Sequence, residues 1–184
     1  MSNKAYRRFF VDYQQGYLCA FGIFNHALQQ KLDPTLSAGD DLKLQACINQ
    51  ALKGQPVATL LAHQSKKNKG LILSFLARQL QQAVCVVDCK LLKNEYIDET
   101  EKNLARIIAD ASTHNWVLLF DEADALFNKH TKLALNREQD SHQAISYLFK
   151  LLSQHQGLSL LACDETRLCD ILRVRCDYYL LAKP

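Results

Sequence analysis

Residues 116–127 read WVLLFDEADALF. The four consecutive apolar residues from Val117 to Phe120 are too few for a typical helix. Their lack of alternation predicts a strand buried on both faces rather than one with a wet side. Asp121 and Glu122 end it abruptly. In an open α/β sheet the carboxyl ends of the strands form the ligand-binding edge. An Asp there is able to hold Mg2+, directly or through water, and a Glu beside it to orient or deprotonate an attacking water. A strand that simply runs into solvent gives the same pattern without chemistry, and these residues alone leave both readings open.

Outward from this stretch, the same kind of segment recurs. VATLLA (57–62), AVCVVD (83–88), LSLLA (158–162) and DYYLLA (177–182) are strand candidates. Between them, apolar residues fall at helical spacing: Ile72, Phe75, Leu76 and Leu80; Leu104, Ile107, Ile108 and Ala111; and Ile145, Leu148, Phe149 and Leu152. Strands separated by helices, with uninterrupted apolar runs, call for a parallel sheet covered on both faces. The first 55 residues differ. YRRFFVDYQQGYLCAFGIFNHALQQKL mixes aromatics and Gln without strict alternation, which predicts one or two helices broken near Gly16 or Gly22. After the turn-like DPTLSAGDD, the spacing of Leu44, Cys47, Ile48, Ala51 and Leu52 predicts a further helix, with Gly54 placed to end it. The expected organisation is a helical N-terminal extension, 1–55, and an α/β core, 56–184.

With 184 residues the chain suits one domain with a sizeable core. Its 48% hydrophobic and 22% charged residues, with only 6 Gly and 3 Pro, argue against disordered and fibrous classes. A net charge of +3, spread among nearly as many carboxylates, gives no general case for a nucleic-acid partner, and the one dense basic cluster is KKNK at 66–69. The longest uncharged stretch, between Asp12 and Lys31, carries several Gln, an Asn and a His, so neither a membrane span nor a signal peptide is expected. Seven Cys form no CxxC pair and have no His at zinc-finger spacing, and the six His form no metal pattern. Buried thiols in a reducing cytoplasm are the simpler expectation.

YIDETEKNLARIIADA (96–111) followed by WVLLFDEADALF resembles a paired signature of the AAA family of ATPases, in which a pattern like Y-[IV]-G-E-[ST]-E-K-N-L precedes LFDEADALF. ISYLFKLLSQHQGLSLLACDE (145–165) continues the likeness, where family members have a helix, a Gly and a strand ending in an Asn-containing sensor. It covers roughly residues 57–182. DEAD-box helicases share the letters at 121–124 but resemble the chain less, since their motif continues differently and needs a second domain. The AAA likeness implies a three-layer, five-stranded parallel P-loop NTPase sheet in the order 5-1-4-3-2. It also implies ATP and Mg2+ as cofactors, ring or partial-ring association with like or related AAA subunits, and a protein client.

Residue by residue, the likeness is uneven. It makes Asp121 the Mg2+ ligand and Glu122 the catalytic base. Alignment on TLLA without a gap sets HQSKKNKG (63–70) on the phosphate loop GxxxxGK[ST], where backbone N–H groups wrap phosphate, the Lys reaches its β and γ oxygens, and the hydroxyl meets the metal. Lys69 falls on the phosphate-binding Lys. His63 and Asn68 replace the two Gly, and Gly70 replaces the metal-binding Ser or Thr. Asn68, which tolerates positive φ, is the residue expected to keep the turn. Asp164 stands where the sensor Asn is, a carboxylate that cannot donate and that repels phosphate.

Tyr96 falls on the pore-loop aromatic, with Asp98 replacing the Gly that follows it; a half-buried Tyr ahead of a helix reads equally well. Glu99 and Glu101 are expected to favour a helix N-terminus electrostatically. Arg175 matches the second Arg of a motif resembling R-R-F-D, an arginine finger acting in trans, though an ordinary surface Arg gives the same pattern. The helical lid of the family has no counterpart here. The reading that combines these features is a degenerate AAA module with a structural or regulatory role. Two alternatives stay open: a weak Mg2+-dependent ATPase, and a nucleic-acid binder using Lys66, Lys67 and Lys69.

Overall fold

The computed structural model describes residues 6–13, 17–24, 38–92, 97–127 and 137–181. Where helices are expected near the N-terminus, the chain forms a hairpin instead. β1 (Tyr6–Tyr13) and β2 (Tyr17–Phe24) pair antiparallel from Tyr6 opposite Phe24 to Tyr13 opposite Tyr17. Aromatic and β-branched residues dominate both segments, and such side chains suit a pleated surface better than a helix. Gly22, read as a helix break, sits inside β2 opposite Arg8 and Val84. The helix expected after residue 41 is present and starts slightly earlier, as α1 (Ala38–Leu52). Leu44, Cys47, Ile48 and Ala51 are buried as the spacing requires, whereas Leu52 is exposed. Gly54 follows at φ 70°, a conformation that glycine alone adopts without strain, and its N–H closes the last turn on the Ala51 carbonyl.

The remaining chain alternates strand and helix. β3 (Val57–Ala62) leads to α2 (Lys66–Leu80), and β4 (Val84–Asp88) to the short α3 (Cys89–Leu92) and long α4 (Ile97–His114). β5 (Val117–Asp121) is followed by the single turn α5 (Asp124–Phe127) and by α6 (Arg137–Leu152). β6 (Leu158–Cys163), α7 (Thr166–Arg175) and β7 (Tyr178–Leu181) complete the described chain. The sheet runs β1-β2-β4-β5-β6-β3-β7. Its five parallel strands, β4-β5-β6-β3-β7, have the expected order read from the opposite edge, and the hairpin adds to β4 antiparallel.

Alternate residues of the central strands feed two separate apolar cores, as a period of two requires. Leu118 and Phe120 face a core shared with α4, α6 and α7. Val117 and Leu119 face the other, built against α1 and α2. Every residue of β3 and β6 is buried, which is why neither shows polar alternation. The one polar side chain of β3, Thr59, meets the Cys47 thiol at 3.3 Å. At the sheet margin, the Asp177 carboxylate accepts the Ala58 N–H at 2.8 Å while the Asp177 N–H donates to the Ala58 carbonyl. This two-way contact sets the register of β7.

Among the described cysteines, Cys47, Cys85, Cys89, Cys163 and Cys169 are buried and Cys176 is half-buried. Burial pushes the Cys47 thiol up to about 11 and the Cys176 thiol up to about 12, so both stay protonated and unreactive at neutral pH.

His155, at the opposite end of the strands from Asp121, is fully buried. Its Nδ1 pairs with the Ser112 hydroxyl at 3.2 Å and its Nε2 has no hydrogen-bond partner. The ring also crowds its neighbour: a Cβ at residue 157 would lie 3.0 Å from Nε2, tighter than an ordinary contact, so a side chain there would require the ring to give way. Burial holds the imidazole below the usual histidine range, with weaker opposing contributions from the backbone at Trp116 and Leu158. The folded state therefore favours neutral His155, and its contribution to stability is complete above the ordinary histidine pKa and lost as pH falls below it. The urea midpoint should drop between pH 7.5 and pH 5. A His155→Gln variant should lose that component of the slope; an unchanged slope would remove His155 as its source.

Candidate functional site

The carboxyl edges of β3, β5 and β6 meet where the parallel sheet presents its ligand-binding edge, so the order of strands brings residues 63–70, 121–122 and 164 together. β5 ends with Asp121 half-exposed, and the chain turns at once through Glu122, which has φ 54°. The turn is held by the Ala123 N–H on the Ala162 carbonyl at 2.8 Å and by the Ala125 N–H on the Glu122 carbonyl at 2.9 Å. A non-glycine residue in this region is uncommon and strained, and the neighbouring bonds are what maintain it. Both carboxylates thus project from a fixed corner.

Each of them is met by a lysine of the same chain. Lys69, one turn into α2 and largely buried, places Nζ against Asp121 Oδ1, the same oxygen that accepts the Glu122 N–H at 3.2 Å. Lys90 Nζ lies 2.8 Å from Glu122 Oε1. Asp88 positions Lys90 by accepting its backbone N–H at 3.0 Å, and the pairing of Asp88 with Asp121 across β4 and β5 brings α3 alongside the Glu122 corner. The hydrogen bond to Glu122, followed by its charge, holds the Lys90 ammonium above its ordinary range.

Residues 63–70 depart from the expected loop. The positive φ falls on His63, at 54°, not on Asn68. His63 is exposed, and its N–H reaches the Cys163 carbonyl at 3.0 Å. The helix begins at Lys66, so three of the four residues KKNK are in its first turn rather than in a loop, with Lys69 directly behind them. Ser65 is the N-cap. Its hydroxyl accepts the Asn68 N–H at 3.2 Å and its carbonyl accepts the Lys69 N–H at 2.9 Å. These two N–H groups would point at phosphate in a P-loop; here Ser65 satisfies them, as an ordinary N-cap does. Lys69 is turned inward, which removes it from the exposed basic cluster.

Gly70 lies in α2 with open space where a Cβ would be, so the missing hydroxyl reflects residue type and not crowding. Asp164 is exposed just beyond β6, one residue past the Cys163–Ala62 pair and beside the His63 turn. Arg175 is not brought to this edge. α7 carries the chain back to the amino ends of the strands, and Arg175, its last residue, donates to the Ser146 hydroxyl at 3.2 Å. Tyr96 lies outside the described residues, as does the side chain of Glu99. Glu101 is half-buried in the second turn of α4.

A family profile, ATPase family associated with various cellular activities (AAA), matches residues 68–178. The chain belongs to the AAA family. Comparison with curated proteins gives no match. AAA domains generally bind ATP with Mg2+ and commonly assemble with related subunits. For this AAA chain, the residues present do not fit that pair of ligands as the family holds them. Asp121 has a lysine on one carboxylate oxygen, residue 70 supplies no hydroxyl, the Asn68 and Lys69 N–H groups are taken by Ser65, and residue 164 is a carboxylate.

Two residues of the site, Ser65 and Lys90, escape the sequence reading. Ser65 carries a recognisable signal, a Ser just before the apolar period of α2. Lys90 carries none by itself, because its role depends on the register of β4 on β5. Among the described residues no helix is long and apolar enough to cross a membrane.

Proposed function

We propose that this AAA chain is a structural or regulatory subunit that does not turn over ATP, working within an assembly of like or related AAA subunits that remodels or builds protein complexes. The observation that carries the reading is the double pairing of Lys69 with Asp121 and Lys90 with Glu122 beside a residue 70 without a hydroxyl. A metal ligand and a base that are each paired with a cation of their own chain must give up that contact before they meet Mg2+ or water, and the Lys69 pair, whose ammonium arm is largely buried, is the costlier of the two to part. In such an assembly the retained fold supplies the surfaces that pack against neighbours. Arg175, remote from its own acidic corner, would serve a neighbour's nucleotide.

The close approach of Lys69 to Asp121 also favours a second reading, a slow Mg2+-dependent ATPase with Lys69 on phosphate, Asp121 on the metal and Glu122 as base. One titration separates the two. Calorimetry with ATP and Mg2+ should give no saturable binding up to millimolar nucleotide, and phosphate release should stay at background. Saturable binding with turnover that Glu122→Gln abolishes would establish the enzyme instead.

A further inference from the structure

The sheet has two outer edges, and they differ. β7 closes one side with four residues, and cations flank its Tyr179 ring: Lys43 Nζ lies 4.2 Å from the ring centroid and the Arg173 guanidinium carbon 4.1 Å, while Arg173 also donates to the Tyr179 hydroxyl at 2.9 Å. A short edge flanked by charge is poorly suited to receiving another strand. β1 closes the other side with eight residues, paired along their whole length with β2, and among the described residues no strand lies on its outer edge. Its sequence YRRFFVDY holds neither Gly nor Pro and is dominated by strand-forming Tyr, Phe and Val. The backbone donors and acceptors along such an edge are a template for an added strand.

We propose that β1 docks on β1 of a second copy of this chain, antiparallel about a twofold axis, so that the sheet continues across a dimer. A twofold axis in an antiparallel ladder passes midway between two directly opposite residues, so one residue of β1 must face its own copy. Of the registers this allows, only the one with Phe10 on the axis sets Asp12 opposite an arginine. It places Arg8 of each copy opposite Asp12 of the other, Phe9 opposite Val11, and Arg7 opposite Tyr13. Ion pairs, aromatic contacts and cation–ring pairs are the kinds of cross-strand neighbour that stabilise antiparallel strands. With Phe9 on the axis, Arg8 would face Phe10 and Asp12 would face Tyr6; with Arg8 on the axis, two arginines would meet. Within the hairpin Arg8 is opposite Gly22 and Asp12 opposite Leu18, so neither faces a charge across β2. This self-complementarity names the occupant, because an unrelated strand has no reason to match it and a second copy matches it twice. The hairpin lies outside the residues 68–178 that match the AAA family, and the inference stands whether or not the chain turns over ATP.

Sedimentation velocity of the full chain without nucleotide, over a concentration series, tests the dimer. The unmodified chain should dimerise reversibly. Arg8→Asp and Asp12→Arg should each weaken the dimer by about tenfold, since the symmetry turns both attractive pairs into repulsive ones. Combined in one chain, the two substitutions exchange the charges and should restore the dimer. That recovery separates lost pairing from a misfolded hairpin, which a second substitution would not repair. Phe10→Cys reads the register: opposite residues on the axis lie about 4.5–5.5 Å apart between Cα atoms, within disulfide range, so copper-catalysed air oxidation should link two chains, whereas Phe9→Cys should not. A chain that stays monomeric at its highest soluble concentration would overturn the proposal and leave the edge to a strand of another protein. A dimer unchanged by both charge reversals, or linked through Phe9→Cys and not through Phe10→Cys, would overturn it as well.

Discussion

Rebuilding the phosphate loop with His63→Gly, Asn68→Gly, Gly70→Thr and Asp164→Asn should raise Mg2+-ATP affinity by about 100-fold, corresponding to about 3 kcal/mol. The contributions are separable. Removing the Asp164 carboxylate from beside a triphosphate relieves a repulsion of about 1 kcal/mol. A Thr hydroxyl at residue 70 adds a metal-bound oxygen worth a further ~1 kcal/mol, comparable with a single hydrogen bond. The structure leaves open space for its Cβ. Glycine at residue 63 suits the φ of 54° already there, and glycine at 68 loosens the first turn of α2 so that its N–H can leave the Ser65 hydroxyl. Calorimetry on the fourfold variant is the measurement. Affinity no better than that of the unmodified chain would mean that the lysine pairs, not the loop, set the barrier to nucleotide.

Phe120→Ala should cost about 3–5 kcal/mol of stability, the range for removing a fully buried aromatic side chain. Phe120 is completely enclosed at the centre of β5 and packs into the core shared with α4, α6 and α7. Against a typical domain stability of about 5–15 kcal/mol, that loss leaves a marginal fold. Urea denaturation of the two proteins measures it. A change below about 1 kcal/mol would show that the helices on that face collapse into the space, and that the core is far less constrained than its burial implies. The substitution lies one residue before Asp121, so it also tests how firmly the strand positions the acidic corner.

The parallel core was legible in the sequence because its signal is local. VATLLA, AVCVVD, WVLLFD and LSLLA are apolar runs whose burial on both faces follows from composition alone, and the structure places strands on each within a residue or so. The hairpin was not legible. Its aromatics and Gln do not alternate cleanly, and its pairing to β4 joins Gly22 to Val84, a distant partner that no local window contains. The site divides in the same way. Asp121, Glu122 and Lys69 were singled out because motifs carry them, and Asp164 because the family resemblance sets it on the sensor at the end of a strand. Lys90 was missed because its contact joins residues 32 positions apart, and only the β4–β5 register makes them neighbours. Asn68 was misassigned: its tolerance of positive φ is real, but the capping oxygen of Ser65 starts the helix before the chain needs a turn there.

That capping oxygen sets up a conflict between two kinds of fitness. One donor cannot serve two acceptors at full strength, so every increment of order that Ser65 gives α2 is withdrawn from the loop's capacity to grip an anion. An N-cap is typically worth about 1 kcal/mol. Removing the Ser65 hydroxyl would therefore free the Asn68 N–H for an anion and loosen the first turn of α2 at the same time. Within this fold, residue 65 is a point where helix order and anion grip draw on the same donor.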